Sequence, residues 1–193
     1  ISKKKIVVLE TSEEKSEEEE KEKSEEKSEE KSDLYVDGVV LQFYSKSSDA
    51  AKPGKGSGEM MKDDRINDFK ELALKENKGW RKVLSNFYDA QIQIDGKMWA
   101  SVEHYFHAMK FKDSHPEHYI KFSLDDESSK FNKDPVLAKK QGRKVKLNDE
   151  QREKWETIKS GVMKRAQLEK YRTNNHARKI LLLTKDAKLM HYL

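Results

Sequence analysis

Residues 94–111 read IDGKMWASVEHYFHAMKF, and the fold is decided by this stretch. Asp95-Gly96 is a two-residue turn signal, because both residue types accept the positive φ that a tight hairpin demands. Just upstream, Ile92 and Ile94 alternate with Gln91 and Gln93, the period-two pattern of a half-buried strand. Downstream the period changes: Val102, Tyr105, Phe106 and Met109 share one helical face, so a helix is expected over 101–112.

Working outward, WRKVLSNFY (80–88) leads into the Ile92–Ile94 strand. Residues 60–79 read as a lightly amphipathic helix carrying Ile66, Phe69, Leu72 and Ala73, with Gly79 expected at its end. Before it, KSSDAAKPGKGSGE (46–59) has loop composition, and Val39, Leu41 and Phe43 alternate with Val40, Gln42 and Tyr44 as another half-buried strand. Towards the C-terminus, Phe122 to Gly142 is mixed, with Asp134-Pro135 as a helix start followed by Leu137 and Ala138. The clearest helix spans about 149–172: Trp155, Ile158, Val162 and Ala166 form its stripe, and Asn148 or Asp149 can cap it. A last helix holds Ile180, Leu181 and Leu183. Several helices around a few short strands make a compact, mostly helical α+β domain over residues 34–193.

Residues 1–33 are of another kind, a low-complexity segment built on a loose Ser-Glu-Glu-Lys unit. Residues 1–32 hold eight lysines and twelve glutamates, a net of −4 in a chain whose total is +4, so the remainder carries +8. The segment has almost nothing to bury against chain entropy and is expected to be a disordered tail, either a spacer or a docking arm for an unknown protein partner. The basic body suits a polyanionic ligand such as a nucleotide, a pyrophosphate or a nucleic acid; it equally serves solubility. The chain has no cysteine, which excludes disulfides, thiolate catalysis and a cysteine-based zinc site. That fits a reducing compartment, with the cytoplasm expected and a nuclear or viral setting as alternatives. No stretch approaches the roughly 20 apolar residues of a membrane span, so no membrane partner is expected. The run Ile6–Leu9 is too short for a signal-peptide core, and a chain beginning at Ile1 is expected to be a fragment or a processed product.

The densest polar and aromatic cluster is Trp99 to His107. With Ser101 as cap, Glu103 falls in the first turn of its helix, where free amides and the helix dipole favour a charged, oriented carboxylate suited to a general base or to stabilising an oxocarbenium ion. An acid in a first turn is also ordinary helix design. His104, His107, His115 and His118 invite a metal reading, but the H-E-x-x-H order is absent, and neither a metal nor a cofactor is expected. Pro53-Gly54-Lys55-Gly56-Ser57-Gly58 could bring backbone amides and an ammonium to a phosphate, although it is not a P-loop. Lys55 could instead be an exposed amine able to attack a carbonyl, or the segment a flexible surface loop. There is no recognisable Ser/His/Asp order and no dinucleotide fingerprint.

Taken together, F-Y-S (43–45), L-S-N-F (84–87), the 94–111 stretch, Gly142-Arg143, W-x-x-x-K-x-x-V-M-K-R-A (155–166), K-Y (170–171), Asn174 and L-L-L-T-K-D-A-K-L (181–189) resemble the NADAR (YbiA-like) family. The segment F-Y-S-K-S followed by P-G-K-G is similar to a branch frequent in large DNA viruses and eukaryotes. The resemblance covers about residues 41–191 and leaves the acidic tail outside. It implies a compact, mainly helical α+β domain that binds ADP-ribose-like ligands and cleaves N-glycosidic bonds. Two substrate classes go with it: guanine carrying ADP-ribose, in nucleic acid (DNA or RNA) or as nucleotides, and early pyrimidine intermediates of riboflavin synthesis. By motif, Glu103 is the catalytic carboxylate and Trp155 a site residue able to pack on a base or ribose. Lys55 is placed to contact the ribose, and could form a transient Schiff base with its opened form. Tyr44, Asn86, Phe87, His104 and Arg143 complete the expected substrate-binding set. The bacterial branch has a further acidic site residue beside a W-G, several positions past the L-L-x-T segment; this chain ends at Leu193 before it, so the expectation is either a C-terminal truncation or a branch that closes its pocket differently. The expected function is removal of ADP-ribose from guanine, the alternatives being a non-catalytic ADP-ribose-binding module or a riboflavin-pathway N-glycosidase.

Overall fold

The computed structural model describes residues 35–36, 38–47 and 52–191. The acidic tail lies outside the described residues. Strand β1 (Val39–Phe43) is the centre of a three-stranded sheet: β2 (Met60–Met61) pairs with it antiparallel and β5 (Lys188–His191) pairs with it parallel, Leu41 opposite Leu189. Its alternation is as expected, with Val39 and Leu41 fully buried. β3 (Ile92–Ile94) and β4 (Lys97–Trp99) form the expected hairpin, turned by Asp95 (φ 55°) and Gly96 (φ 70°).

Among the described residues six α-helices surround these strands: α1 (Trp80–Leu84), α2 (Val102–Met109), α3 (Pro116–Ile120), α4 (Pro135–Lys144), α5 (Asp149–Thr173) and α6 (Asn175–Leu183). Their starts follow local chemistry. Asp134 accepts the amides of Val136 and Leu137, Asn148 and Gln151 form a reciprocal capping box, and Asn174 accepts the amide of Ala177. The stripe on α5 is buried at Trp155, Val162 and Ala166, whereas Ile158 is exposed. The architecture is the mostly helical α+β domain expected. No helix among the described residues is long and apolar enough to cross a membrane.

Two expectations are corrected. Residues 60–79 are a short strand followed by 3-10 helices at Asp63–Ala73 and Lys75–Asn77, of which Phe69 and Leu72 are buried and Ile66 is exposed. Gly79 ends no helix. It precedes α1 with φ 80°, the left-handed turn that lets Trp80, Val83 and Leu84 face inwards.

The core has two parts. One gathers Ile92, Ile94, Trp99, Val102, Tyr105, Phe111, Phe122, Val162 and Ala166; the other gathers Val39, Leu41, Phe69, Leu72, Trp80, Leu84 and Ile180. Tyr88 packs against both, and α5 runs from the first, through Trp155, Val162 and Ala166, to Tyr171 at the edge of the second.

Candidate active site around Glu103

Helix α2 begins at the hairpin exit, so Glu103 sits in its first turn directly beside the β3–β4 ribbon. The details depart from a simple cap. Ser101 occupies the N-cap position, but its hydroxyl lies 2.8 Å from His104 Nδ1. The amide of Glu103 is not free either, since it donates to the Asn86 carbonyl at 3.1 Å. The segment after α1 thus takes up one of the orphan donors of α2.

One turn further on, His107 Nε2 donates to Glu103 Oε1 at 2.9 Å, and both residues are buried, at 4% and 7% exposure. Glu103 Oε2 has no hydrogen-bond partner among the described residues. His107 Nδ1, equally, has no partner and faces Gly142 on α4. A Cβ on Gly142 would lie 2.3 Å from that nitrogen, so glycine is what lets α4 approach the imidazole. The site is therefore a carboxylate with one oxygen oriented by an imidazole and the other uncommitted.

An aromatic path leads from there to Trp155. The ring of His107 meets Phe106 edge-on at 5.6 Å, and Phe106 meets Trp155 edge-on at 5.0 Å. Lys110 Nζ stands 5.6 Å from the Trp155 ring centroid, and burial, with the nearby charge of Arg143, pushes its ammonium below the ordinary lysine value while Glu103 opposes that shift. Lys139 Nζ stands 5.6 Å from the Phe87 ring. Lys110, Lys139 and Arg143 have no carboxylate partner among the described residues. Arg143 is exposed in the last turn of α4, where a cation also suits the helix dipole. His191 on β5 packs on Phe43 at 5.2 Å; burial lowers its pKa and Glu103 raises it, so the C-terminal strand reaches the same neighbourhood. A cleft of about 50 Å³ beside Trp155, lined by Lys110, Ser114, Gln151 and Ile158, is too small for a nucleoside. A larger cleft of about 360 Å³ at His115, Glu117, His118 and Lys121 shares no lining residue with it.

The structure thus brings Glu103, Phe87, Arg143 and Trp155 into connected surroundings, although Trp155, at 7% exposure, is first a core residue. It turns two expected ligand contacts elsewhere. The side chain of Asn86 is held by α5, accepting from Gln167 Nε2 and donating to Met163 Sδ. His104 is fully buried; its Nε2 donates to the Phe131 carbonyl at 3.1 Å, so Nδ1 accepts from Ser101, and burial pushes its pKa below the ordinary imidazole value. Both of its nitrogens are spent on holding the helix entry. Tyr44 lies half-buried just past β1, its carbonyl accepting from Ser47.

The glycine-rich loop is also corrected. The amides of Gly54 and Gly56 point inwards to Glu59 Oε2, at 3.0 and 2.9 Å, and so do not present themselves to a phosphate. Glu59 Oε1 accepts from Gln42 N, and Arg81 binds both oxygens, through Nε at 3.0 Å and Nη2 at 2.7 Å. Lys55 stands exposed on this braced loop, and none of these contacts runs to Glu103. Among the described residues no group of three or more His, Asp or Glu side chains is placed to hold a metal. His118 packs instead against Phe111, Phe122 and Phe131.

Sequence reasoning missed His107 as the partner of Glu103, along with Lys110, Lys139 and His191. The i, i+4 spacing of Glu103 and His107 on one helix was the available signal.

A family model described as the NADAR domain matches residues 74–192, the span that holds α1 to β5 and every contact of Glu103 given above. The Escherichia coli (strain K12) protein named N-glycosidase YbiA is 35% identical over 108 residues, which is 56% of this chain and 61% of that protein. Its counterpart in Shigella flexneri serotype 5b (strain 8401), of the same name, is 34% identical over the same length. The match spans about three-fifths of these relatives. An NMR structure of the E. coli protein YbiA covers 81% of this chain and 68% of its own, with 26% identity and a TM-score of 0.47. With the family match taking in well over half of the sequence, hairpin, catalytic-candidate helix and Trp155 helix together, the chain belongs to the NADAR domain family.

Proposed function

We propose that this chain is an N-glycoside hydrolase that removes ADP-ribose from guanine, in nucleic acid or nucleotides, with Glu103 as its catalytic carboxylate. The observation that supports this reading is the nearly buried Glu103, with Oε1 held by His107 and Oε2 uncommitted. Cleavage of an N-glycoside passes through an oxocarbenium-like state at C1′, which an oriented carboxylate stabilises or quenches by activating water. In the second role the C1′–N bond breaks towards the guanine, which keeps the electron pair, as water oxygen bonds C1′; Glu103 takes the water proton and returns it to the departing nitrogen, which restores the carboxylate. The name N-glycosidase carried by the relatives supports the reaction class. Lys110, Lys139 and Arg143, cations without carboxylate partners among the described residues, support an anionic substrate, and the F-Y-S-K-S…P-G-K-G segment supports the branch given above. Lys55, on its braced loop, is the residue available to the ribose.

The test is incubation with a guanine-ADP-ribosylated DNA oligonucleotide, followed by mass spectrometry, with Glu103→Gln alongside. Wild-type cleavage is expected, and the variant should be slower by at least about two orders of magnitude, the range for losing a general base. Near-normal turnover by the variant removes Glu103 from the mechanism. ADP-ribose binding without cleavage would leave a binding module instead.

A further inference from the structure

Lys170 is fully buried on α5 and has no carboxylate beside it among the described residues. Its Nζ donates to the Val83 carbonyl at 2.6 Å and to the Ser85 carbonyl at 2.9 Å, the carbonyls that close α1. The phenol rings of Tyr88 and Tyr171 lie 5.5 and 5.0 Å from it; they are the ionisable side chains it faces, and burial raises both phenols. A buried lysine without a counter-ion is costly, and a core of this kind could have used methionine in its place.

What the ammonium holds is the segment that meets Glu103. Val83 and Ser85 flank the turn into Asn86, whose carbonyl receives the Glu103 amide at 3.1 Å. Two further α5 side chains, Met163 and Gln167, grip the Asn86 side chain. Met163, Gln167 and Lys170 are spaced i, i+4, i+7, so a single face of α5 fixes the platform on which the first turn of α2 rests. We propose that Lys170 is a positioning residue for Glu103, acting through Ser85 and Asn86 on the N-terminus of α2; the kinetic part rests on the reading of Glu103 as the catalytic carboxylate. Burial brings its pKa down to about 7, so ammonium and neutral amine are both populated near neutrality. Either form has an N–H for each of the two carbonyls, so the platform does not depend on the charge.

The test uses the full chain with two variants, Lys170→Met and Gln167→Ala. The second loosens the same platform from the partly buried side and keeps the experiment decisive if the first fails to fold. For each variant we expect kcat on ADP-ribosylated guanine to fall about tenfold while KM stays within about twofold, because substrate contacts are untouched while the carboxylate loses its aim. The Glu103 amide should exchange with deuterium about tenfold faster, read by NMR. Unchanged kcat, a loss confined to KM, or an equally protected Glu103 amide in a folded variant would overturn the proposal. Should the wild type cleave nothing, the reading of Glu103 as catalytic falls, and amide exchange alone still decides whether Lys170 positions it.

Discussion

Glu59 stands in a stretch with loop composition, yet its side chain is fully buried and five N–H groups converge on it. Consider Glu59→Gln. The amide oxygen can take the place of Oε2 and keep Gly54 N, Gly56 N and Arg81 Nη2. The amide nitrogen then confronts Gln42 N and Arg81 Nε, donor against donor. Two hydrogen bonds are lost, both charge-assisted because each ends on the carboxylate, at about 1.5 kcal/mol each. The Arg81 side chain is 7% exposed, and breaking a buried pair of this kind from one side costs about 3–5 kcal/mol in all. We therefore expect a loss of about 4 kcal/mol, measured by guanidinium chloride unfolding, with faster tryptic cleavage after Lys55. In the double variant Glu59→Gln with Arg81→Met, part of the loss should return, because the guanidinium no longer meets the amide nitrogen donor against donor. A single variant within about 1 kcal/mol of wild type, or a double variant with purely additive loss, would refute the view that this pair organises the loop.

Two further predictions concern the core. In Gly142→Ala the new Cβ would lie 2.3, 2.5 and 2.8 Å from Nδ1, Cγ and Cβ of His107, so α4 or the imidazole must move; a loss of about 1–3 kcal/mol is expected by thermal melting, with turnover falling alongside, and an unchanged melt would show that the helices separate freely. Lys170 carries a folded pKa of about 7, against about 10.4 in the unfolded chain, so between those values the unfolded chain binds more protons and stability rises with pH, by up to about 1.4 kcal/mol per unit. Urea unfolding at pH 7 and 9 should show this rise in wild type beyond that in Lys170→Met, and parallel changes in the two proteins would count against it.

What could be read from the sequence was what is local. The β3–β4 hairpin, the Asp134 and Asn148 helix starts and the long α5 depend on neighbours within four residues, and the structure holds them where the pattern puts them. Gly79 was misread because the same residue serves a helix end and a left-handed entry; burial of Trp80, Val83 and Leu84 in the second core decides between them. Strand β5 carries no readable alternation, since of its residues only Leu189 turns inwards. At the site, Glu103 stood out in its motif, and His107 followed one helical turn later. His104 looked equally available, and only the Phe131 carbonyl, 27 residues on, takes it out of the site. Glu59 was invisible because its five donors come from three separate segments.

The parallel pairing of β1 with β5, Val40 beside Lys188, joins residues about 150 positions apart. Loop-closure entropy rises slowly with such a separation, but parallel contacts of this range form late compared with helices and hairpins. The hairpin with α2 can assemble as soon as its own stretch exists, and α5 can dock on it next. The three-stranded sheet must wait for β5, and until then the edge of β1 that will receive it stays unpaired. On a ribosome, that edge is the part of this domain most in need of a chaperone, and His191 arrives near Glu103 only when it is covered.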